Sequence, residues 1–429
     1  MRLKCRAKFF LYVVGIVMSE QKTVQPLREL VKAFLQQVMI NYWGPLYSYL
    51  KDNPHLIKTA PGFLINHDEV TVYVGRTHIA LEYHGSEVAD ELPAGKVVTV
   101  NMHDYSTKEC NIFERIIGFE YDSNMIGGMS LPLPPFSEDL LLPTNRGWDK
   151  LEELQWNFSA QNSIMGFNVP SPAPLPGRFT RVVNGMFFDA DESGLRTRRI
   201  KWLDFFPIEF DGSNEEHDTF SFSVENLSGL VEHDAHYKYP LPDEYKFKQL
   251  PKINKFIEAW GSKESSEPDI TSFLARDENK FILTMNFGAS NVHAELTCDW
   301  QSEDRNSIRP DFFVVKPNGY ADIVEFKLPQ IDKAVVVGGA NRETFAAWLQ
   351  SYVSQTRVYA SYFEDPNNRA WFEKKYGLKV FKPRRYLVVG RRKDFDSDVW
   401  REIMSDYPGL DIMTFDDLVD GVVAQFYMD

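Results

Sequence analysis

The chain has 429 residues, 43% of them hydrophobic and 25% charged, which is enough for two or more domains with their own cores. A net charge of −14 opposes indiscriminate coating of nucleic acid, so any such contact needs a local basic patch. Three widely spaced cysteines, Cys5, Cys110 and Cys298, make no CxxC; a disulfide framework or zinc site is disfavoured, and a reducing cytoplasm is the expected location.

Basic residues near the N-terminus precede an apolar run from Phe9 to Met18. The run is shorter than the ~20 residues that span a bilayer, and no small-x-small cleavage pattern follows. Residues 1–20 read as a start-site extension rather than a secretory signal or an interfacial anchor. No other segment resembles a transmembrane helix, so no membrane partner is expected. Leu27, Leu30, Val31, Phe34, Leu35 and Val38 predict a helix over Pro26–Leu50, broken or bent at Gly44-Pro45. From Pro61 to Tyr121 the pattern is β. Loops follow around Pro132 to Pro143 and over 168–178, and 180–210 reads as strands around a turn. His233, Asp234 and His236 sit in "VEHDAHYKY", which we read as a surface loop rather than a metal site. "RTRRIKW" at 196–202 is a second basic stretch, either a nucleic-acid contact or an exposed strand.

A composition shift near 250–268 marks a boundary between an N-terminal region, 1–255, and a C-terminal domain, 256–429. In the second part we expect a helix at 268–277, strands at 281–287, 292–298, 310–316 and 320–328, and helices at 342–363 and 366–376. A strand at 385–390, a helix at 396–405 and a short strand and helix near 411–425 complete an α/β pattern. Pro317-Asn318-Gly319 predicts an antiparallel hairpin. Glu325 and Lys327 then share one face of its second strand, and Asp311 falls opposite Glu325 to within a residue. Burying two carboxylates and an ammonium is costly unless they pair or hold an ion. Hard oxygen ligands suit Mg²⁺, and an adjacent lysine can neutralise a phosphorane, so the pattern points to a metal-dependent phosphodiesterase. The bland alternative is a solvated salt-bridge cluster on a half-exposed sheet.

Pro310-Asp311, thirteen intervening residues and Glu325-Phe326-Lys327 resemble the PD-(D/E)xK nuclease core. Gln355-x-x-x-Tyr359, one helical turn apart on the next helix, is similar to the pair found in RecB-like members. "EPDITSFL", "FKPRRYLVVGRR" and "LDIMTFDDL" resemble elements of Shedu-type antiphage defence nucleases, a likeness covering roughly 264–420. The resemblance implies an α+β, strand-rich N-terminal region that restrains cleavage, ahead of an α/β domain of the restriction-endonuclease-like fold. It implies Asp311, Glu325 and the Phe326 backbone carbonyl as ligands of Mg²⁺ or Mn²⁺, with Lys327 catalytic. Gln355 and Tyr359 would support the site, and Glu267 would be an additional acid, with Asp269 its competitor. The implied activity is endonucleolytic nicking or cutting of double-stranded phage DNA by a homo-oligomer, a tetramer being one form.

The stretch 374–393 holds nine Lys or Arg and no acid. Arg384, Arg385, Arg391, Arg392 and Lys393 are therefore expected to contact DNA phosphates; the alternative is a basic face that pairs with acidic neighbours. Two other functions compete: a RecB-like repair nuclease and a DNA-binding module that has lost cleavage. No GxxxxGK[ST] is present, which argues against an ATP-driven machine on this chain.

Overall fold

A computed structural model describes residues 17–18, 25–93, 97–107, 111–121, 130–158, 163–164, 171–211, 219–222, 224–239, 249–302, 304–339, 342–395 and 397–427. Cys5, Cys110, most of the N-terminal extension and part of the 168–178 loop lie outside these residues. The chain divides into two units. One comprises Met1–Asp149, Phe158–Ala190 and Arg196–Lys246; the other comprises Lys150–Asn157, Asp191–Leu195 and Phe247–Asp429. Among the described residues, no helix is long and apolar enough to cross a membrane.

The first unit is built on a ten-stranded sheet. Its main path runs Val17–Met18, Thr99–Asp104, Glu69–Val74, His78–His84, Gly194–Asp211, Thr180–Asp191, Leu140–Pro143 and Ser163–Ile164. Both faces are covered. Phe34, Tyr42 and Leu50 pack with Val70, Val72 and Phe206 in one core, and Phe113, Ile116 and Phe187 pack with Leu203 and Phe205 in another. The expected long N-terminal helix is two helices, Gln25–Val38 and Gly44–Asp52, joined by a π turn over Met39–Trp43. Pro45 has no N–H to continue the ladder, and the wider turn absorbs that loss. Within the expected β region, Ile112–Ile117 is instead a helix, capped by the Asn111 side chain and closed by left-handed Gly118.

Asp234 does not lie in a surface loop. It belongs to the helix Val231–His236 and is fully buried. Its carboxylate accepts from Arg181 Nη1 at 2.8 and 2.9 Å and from the Tyr42 hydroxyl at 2.5 Å, while Arg181 Nε and Nη2 reach Asp204 at 2.6 and 3.0 Å. Burial leaves charges no solvent to fall back on, so the arginine recruits both acids.

The second unit is a mixed α/β layer arrangement. Its strands are β1 (Asn291–Ala294), β2 (Phe312–Val315), β3 (Ala321–Phe326), β4 (Val336–Val337), β5 (Thr344–Phe345), β6 (Arg385–Val388) and β7 (Leu410–Met413). Its helices are α1 (Leu250–Gly261), α2 (Glu267–Ala275), α3 (Phe281–Phe287), α4 (Ala347–Tyr362), α5 (Pro366–Tyr376), α6 (Ser397–Met404) and α7 (Phe415–Tyr427). The main sheet has the order β1-β2-β3-β6-β7; β1 to β3 are antiparallel neighbours, and β3, β6 and β7 run parallel. Alternation along β3 sends Ile323 to the α4 and α5 side, with Tyr359, Tyr362 and Phe372, and Phe326 to the other side, against Phe312 and Phe415.

Two elements differ from the sequence expectation. Residues 281–287 form a helix, not a strand, ended by Gly288 at φ +55°; a short apolar run fits either state. Thr344–Phe345 pairs with Val336–Val337 in a small hairpin, so α4 starts only at Ala347.

Candidate active site

The hairpin register decides which acids meet. Phe312 pairs with Val324, so the next pair outward is Asp311 with Glu325. The turn that sets this register has Gly319 at φ +84°, with Gly319 N–H donating to Lys316 O at 2.9 Å and Lys316 N–H to Tyr320 O at 2.8 Å. The Asp311 side chain accepts from Phe326 N–H at 2.7 Å, which ties the start of β2 to the end of β3. Lys327 continues the strand direction, its N–H donating to Val388 O on β6 at 2.8 Å.

Glu325 and Lys327 project from the same face and are 2% and 6% exposed. Lys327 Nζ donates to Glu325 Oε1 and to Glu267 Oε1, each at 2.8 Å. Glu267 is presented at the start of α2 by a capping box. Ser266 accepts from Asp269 N–H, and the Asp269 carboxylate accepts from Ser266 N–H at 3.0 Å. The competition between the two acids is thereby resolved in space: Asp269 closes the helix end, and Glu267 faces the lysine. From α4, Gln355 Nε2 donates to Glu325 Oε1 at 2.8 Å and to the Tyr359 hydroxyl at 2.6 Å. Tyr359 itself donates to Glu325 Oε1 at 3.4 Å.

One oxygen from each of Glu267, Asp311 and Glu325 lies within 4.8 Å of the others, and no second such group of acids, His or Cys occurs among the described residues. Three carboxylates face a single ammonium. Burial, then the charge of Glu325, push the Asp311 carboxyl up to about 7. Burial also raises Glu325, against the pull of Lys327. Burial would depress the Lys327 ammonium, but Glu325 and Glu267 overcome it and hold it above the ordinary lysine value. The pocket thus has more acid than its lysine can neutralise, and it would ionise fully only with further positive charge. Oxygens at this spacing can close on a cation whose bonds are roughly 2.0–2.6 Å.

The five basic residues expected to meet DNA are not equivalent. Arg391 is 3% exposed; its Nε and Nη2 grip Asp416 at 2.8 to 3.1 Å, and Nη2 also donates to Glu153 O at 2.9 Å. Arg392 pairs with Asp417 and Asp420, both at 2.8 Å, and Lys393 with Glu153 at 2.8 Å. Arg384 is more open, its guanidinium meeting Asp411 at 3.9 Å while its backbone N–H donates to Asp322, and Arg385 Nη2 donates to Pro408 O at 3.3 Å. The strip is basic in sequence, but acids from α7 and from Lys150–Asn157 take much of its charge.

Sequence reading missed Tyr352, whose ring centroid lies 5.4 Å from Lys327 Nζ. The available signal was its place three residues before Gln355 on the same helical stripe.

Residues 264–419 match the family model described as Shedu protein SduA, C-terminal. A comparison with curated proteins finds no match. The matched segment contains Glu267, Asp311, Glu325, Lys327, Gln355 and Tyr359, so the described pocket lies wholly within it. Residues 264–419, and with them the whole pocket, are therefore similar to the C-terminal part of the Shedu protein SduA.

Proposed function

We propose that the C-terminal unit is an endonuclease that hydrolyses DNA phosphodiester bonds with the help of Mg²⁺ or Mn²⁺. The observation that carries this reading is the convergence of Glu267, Asp311 and Glu325 around Lys327, with a surplus of buried acid. The antiparallel-then-parallel sheet and the acid-acid-lysine set support a restriction-endonuclease-like fold. Glu267, Asp311 and Glu325 would hold the ion, which when bound polarises a phosphate and makes water a better nucleophile.

The chain's own groups have separable tasks. Lys327 is held as an ammonium by its two carboxylates, so it acts as a hydrogen-bond donor and positive charge toward the reacting phosphate, not as a base. Gln355 and Tyr359 fix the direction of Glu325 Oε1. The Phe326 N–H does the same for Asp311. Phosphate contact falls to Arg384 and Arg385 more than to Arg391, which Asp416 already holds inside. In this reading the substrate is double-stranded phage DNA, the strand-rich N-terminal unit governs cleavage, and the protein works as a homo-oligomer.

The test is nicking of supercoiled plasmid with Mg²⁺, with Mn²⁺ and with EDTA, comparing wild type with Lys327→Ala. Nicking that needs the ion and is lost in the variant supports the reading. Equal DNA binding with no cleavage by either protein would favour a binding module instead.

A further inference from the structure

Helix α4 carries more than Gln355 and Tyr359. Trp348, Tyr352, Gln355 and Tyr359 recur at spacings of four, three and four, and so form one stripe. The inner end of that stripe touches Glu325. Further out, Lys327 Nζ lies over the Tyr352 ring, 5.4 Å from its centroid, and Trp348 follows edge to face, its ring 5.8 Å from that of Tyr352 at 75°. Trp348 Nε1 donates to Ala334 O at 2.9 Å, just before β4. That bond satisfies the one polar group of the indole and fixes the direction of its ring. Both rings rest on the core that includes Phe345, Leu349 and Val353, and both remain partly exposed.

The surroundings match one kind of ligand. Leu328, next to Lys327 in the chain, and Val337, three residues after Ala334, are 45% and 44% exposed. Lys333 and Arg342 are exposed near the same hairpin, and neither has an acidic partner among the described residues. Aromatic faces, apolar neighbours and unpaired cations beside a pocket suited to phosphate chemistry fit a nucleobase joined to its backbone. A base within an intact duplex has both faces covered, so such a wall can engage only a base that has left its stack.

We propose that Trp348 and Tyr352 form a stacking wall for an unstacked nucleobase next to the phosphodiester held in the acidic pocket. This rests on the nuclease reading above and names the local form of the substrate: one strand unpaired at the wall. Trp348 and Tyr352 are positioning residues, and Lys333 and Arg342 hold the flanking phosphates.

The experiment uses the full chain and a fluorescein-labelled, mixed-sequence single strand of about 15 nucleotides, a length that covers one binding site. Fluorescence anisotropy in EDTA measures binding without cleavage. Tyr352→Leu and Trp348→Leu are expected to weaken binding about 5- to 100-fold, while Tyr352→Phe and Trp348→Phe stay within about threefold, because the Phe changes keep an aromatic face. The salt dependence keeps its slope, since phosphate contacts are untouched. On a duplex with a short mismatched bubble, Trp348→Leu raises KM and leaves kcat near the wild-type value. Melting temperatures check that each variant folds. Leu variants that bind as wild type does, or Phe variants as weak as the Leu variants, overturn the proposal. Failure of the nuclease reading is seen separately, as no metal-dependent nicking by the wild type, and the EDTA binding series still decides whether the wall exists.

Discussion

Asp311→Asn should stabilise the metal-free protein at alkaline pH. In an unfolded chain an aspartate titrates at roughly 3.9, whereas burial and Glu325 push Asp311 up to about 7. The folded pKa is raised, so the contribution is fully present below about pH 4 and is lost as pH rises through about 7. At about 1.4 kcal/mol per tenfold change, ionised Asp311 costs the folded state at most ~4 kcal/mol above pH 7. Asparagine removes the charge and keeps an oxygen to accept from Phe326 N–H. With relaxation of the neighbours taken into account, a gain of about 2–3 kcal/mol is expected at pH 8. For a unit of this size that raises the melting temperature by roughly 4–12 °C. The assay is thermal melting in EDTA at pH 5 and pH 8, repeated with Mn²⁺. The variant should melt higher by a small margin at pH 5, where roughly a third of the cost is already present, and by the full margin at pH 8, and Mn²⁺ should raise the wild type and leave the variant little changed. A variant that melts at or below the wild type at pH 8 in EDTA would show that ionised Asp311 does not burden the fold.

Other substitutions probe separate parts of the molecule. Gln355→Leu removes a donor from Glu325 Oε1; Mn²⁺ affinity, followed by titration, should fall about 10- to 100-fold. Arg391→Ala strands buried Asp416 and should cost about 3–5 kcal/mol in denaturant melts. Its effect is on folding, whereas Arg384→Glu should flatten the salt dependence of DNA binding and leave the melting point nearly unchanged. Arg181→Ala leaves Asp204 and Asp234 buried without their cation, and the first unit should lose about 3–5 kcal/mol, read by denaturant unfolding.

The hairpin that carries the acidic pocket was legible because its information is local. Alternation of period two and the Pro317-Asn318-Gly319 turn bring Asp311 opposite Glu325 and put Lys327 on the same face. The same holds for Gln355 and Tyr359, whose helical spacing alone puts them on one stripe. Ser266-x-x-Asp269 was also a local signal, a capping box that frees Glu267 for the lysine, but the sequence reading did not use it. Where the reading failed, distant residues decided. Helix α3 gained its state from burial of Ile282, Leu283 and Phe287, not from any strand partner. Asp234 is buried because Arg181 and Tyr42, 53 and 192 residues away, meet it in the first unit's core. Counting charge along 374–393 could not reveal Asp416, Asp417, Asp420 and Glu153, which lie elsewhere in the chain and neutralise part of the strip.

Three carboxylates surround Lys327, and their use as a cation site is open to direct observation. Crystals soaked in Mn²⁺ and measured for anomalous scattering test it most directly. A peak in contact with Glu267, Asp311 and Glu325 is expected, and it should be lost in Asp311→Asn crystals. Ordered carboxylates with no peak between them, or a peak only at other surface acids, would contradict it.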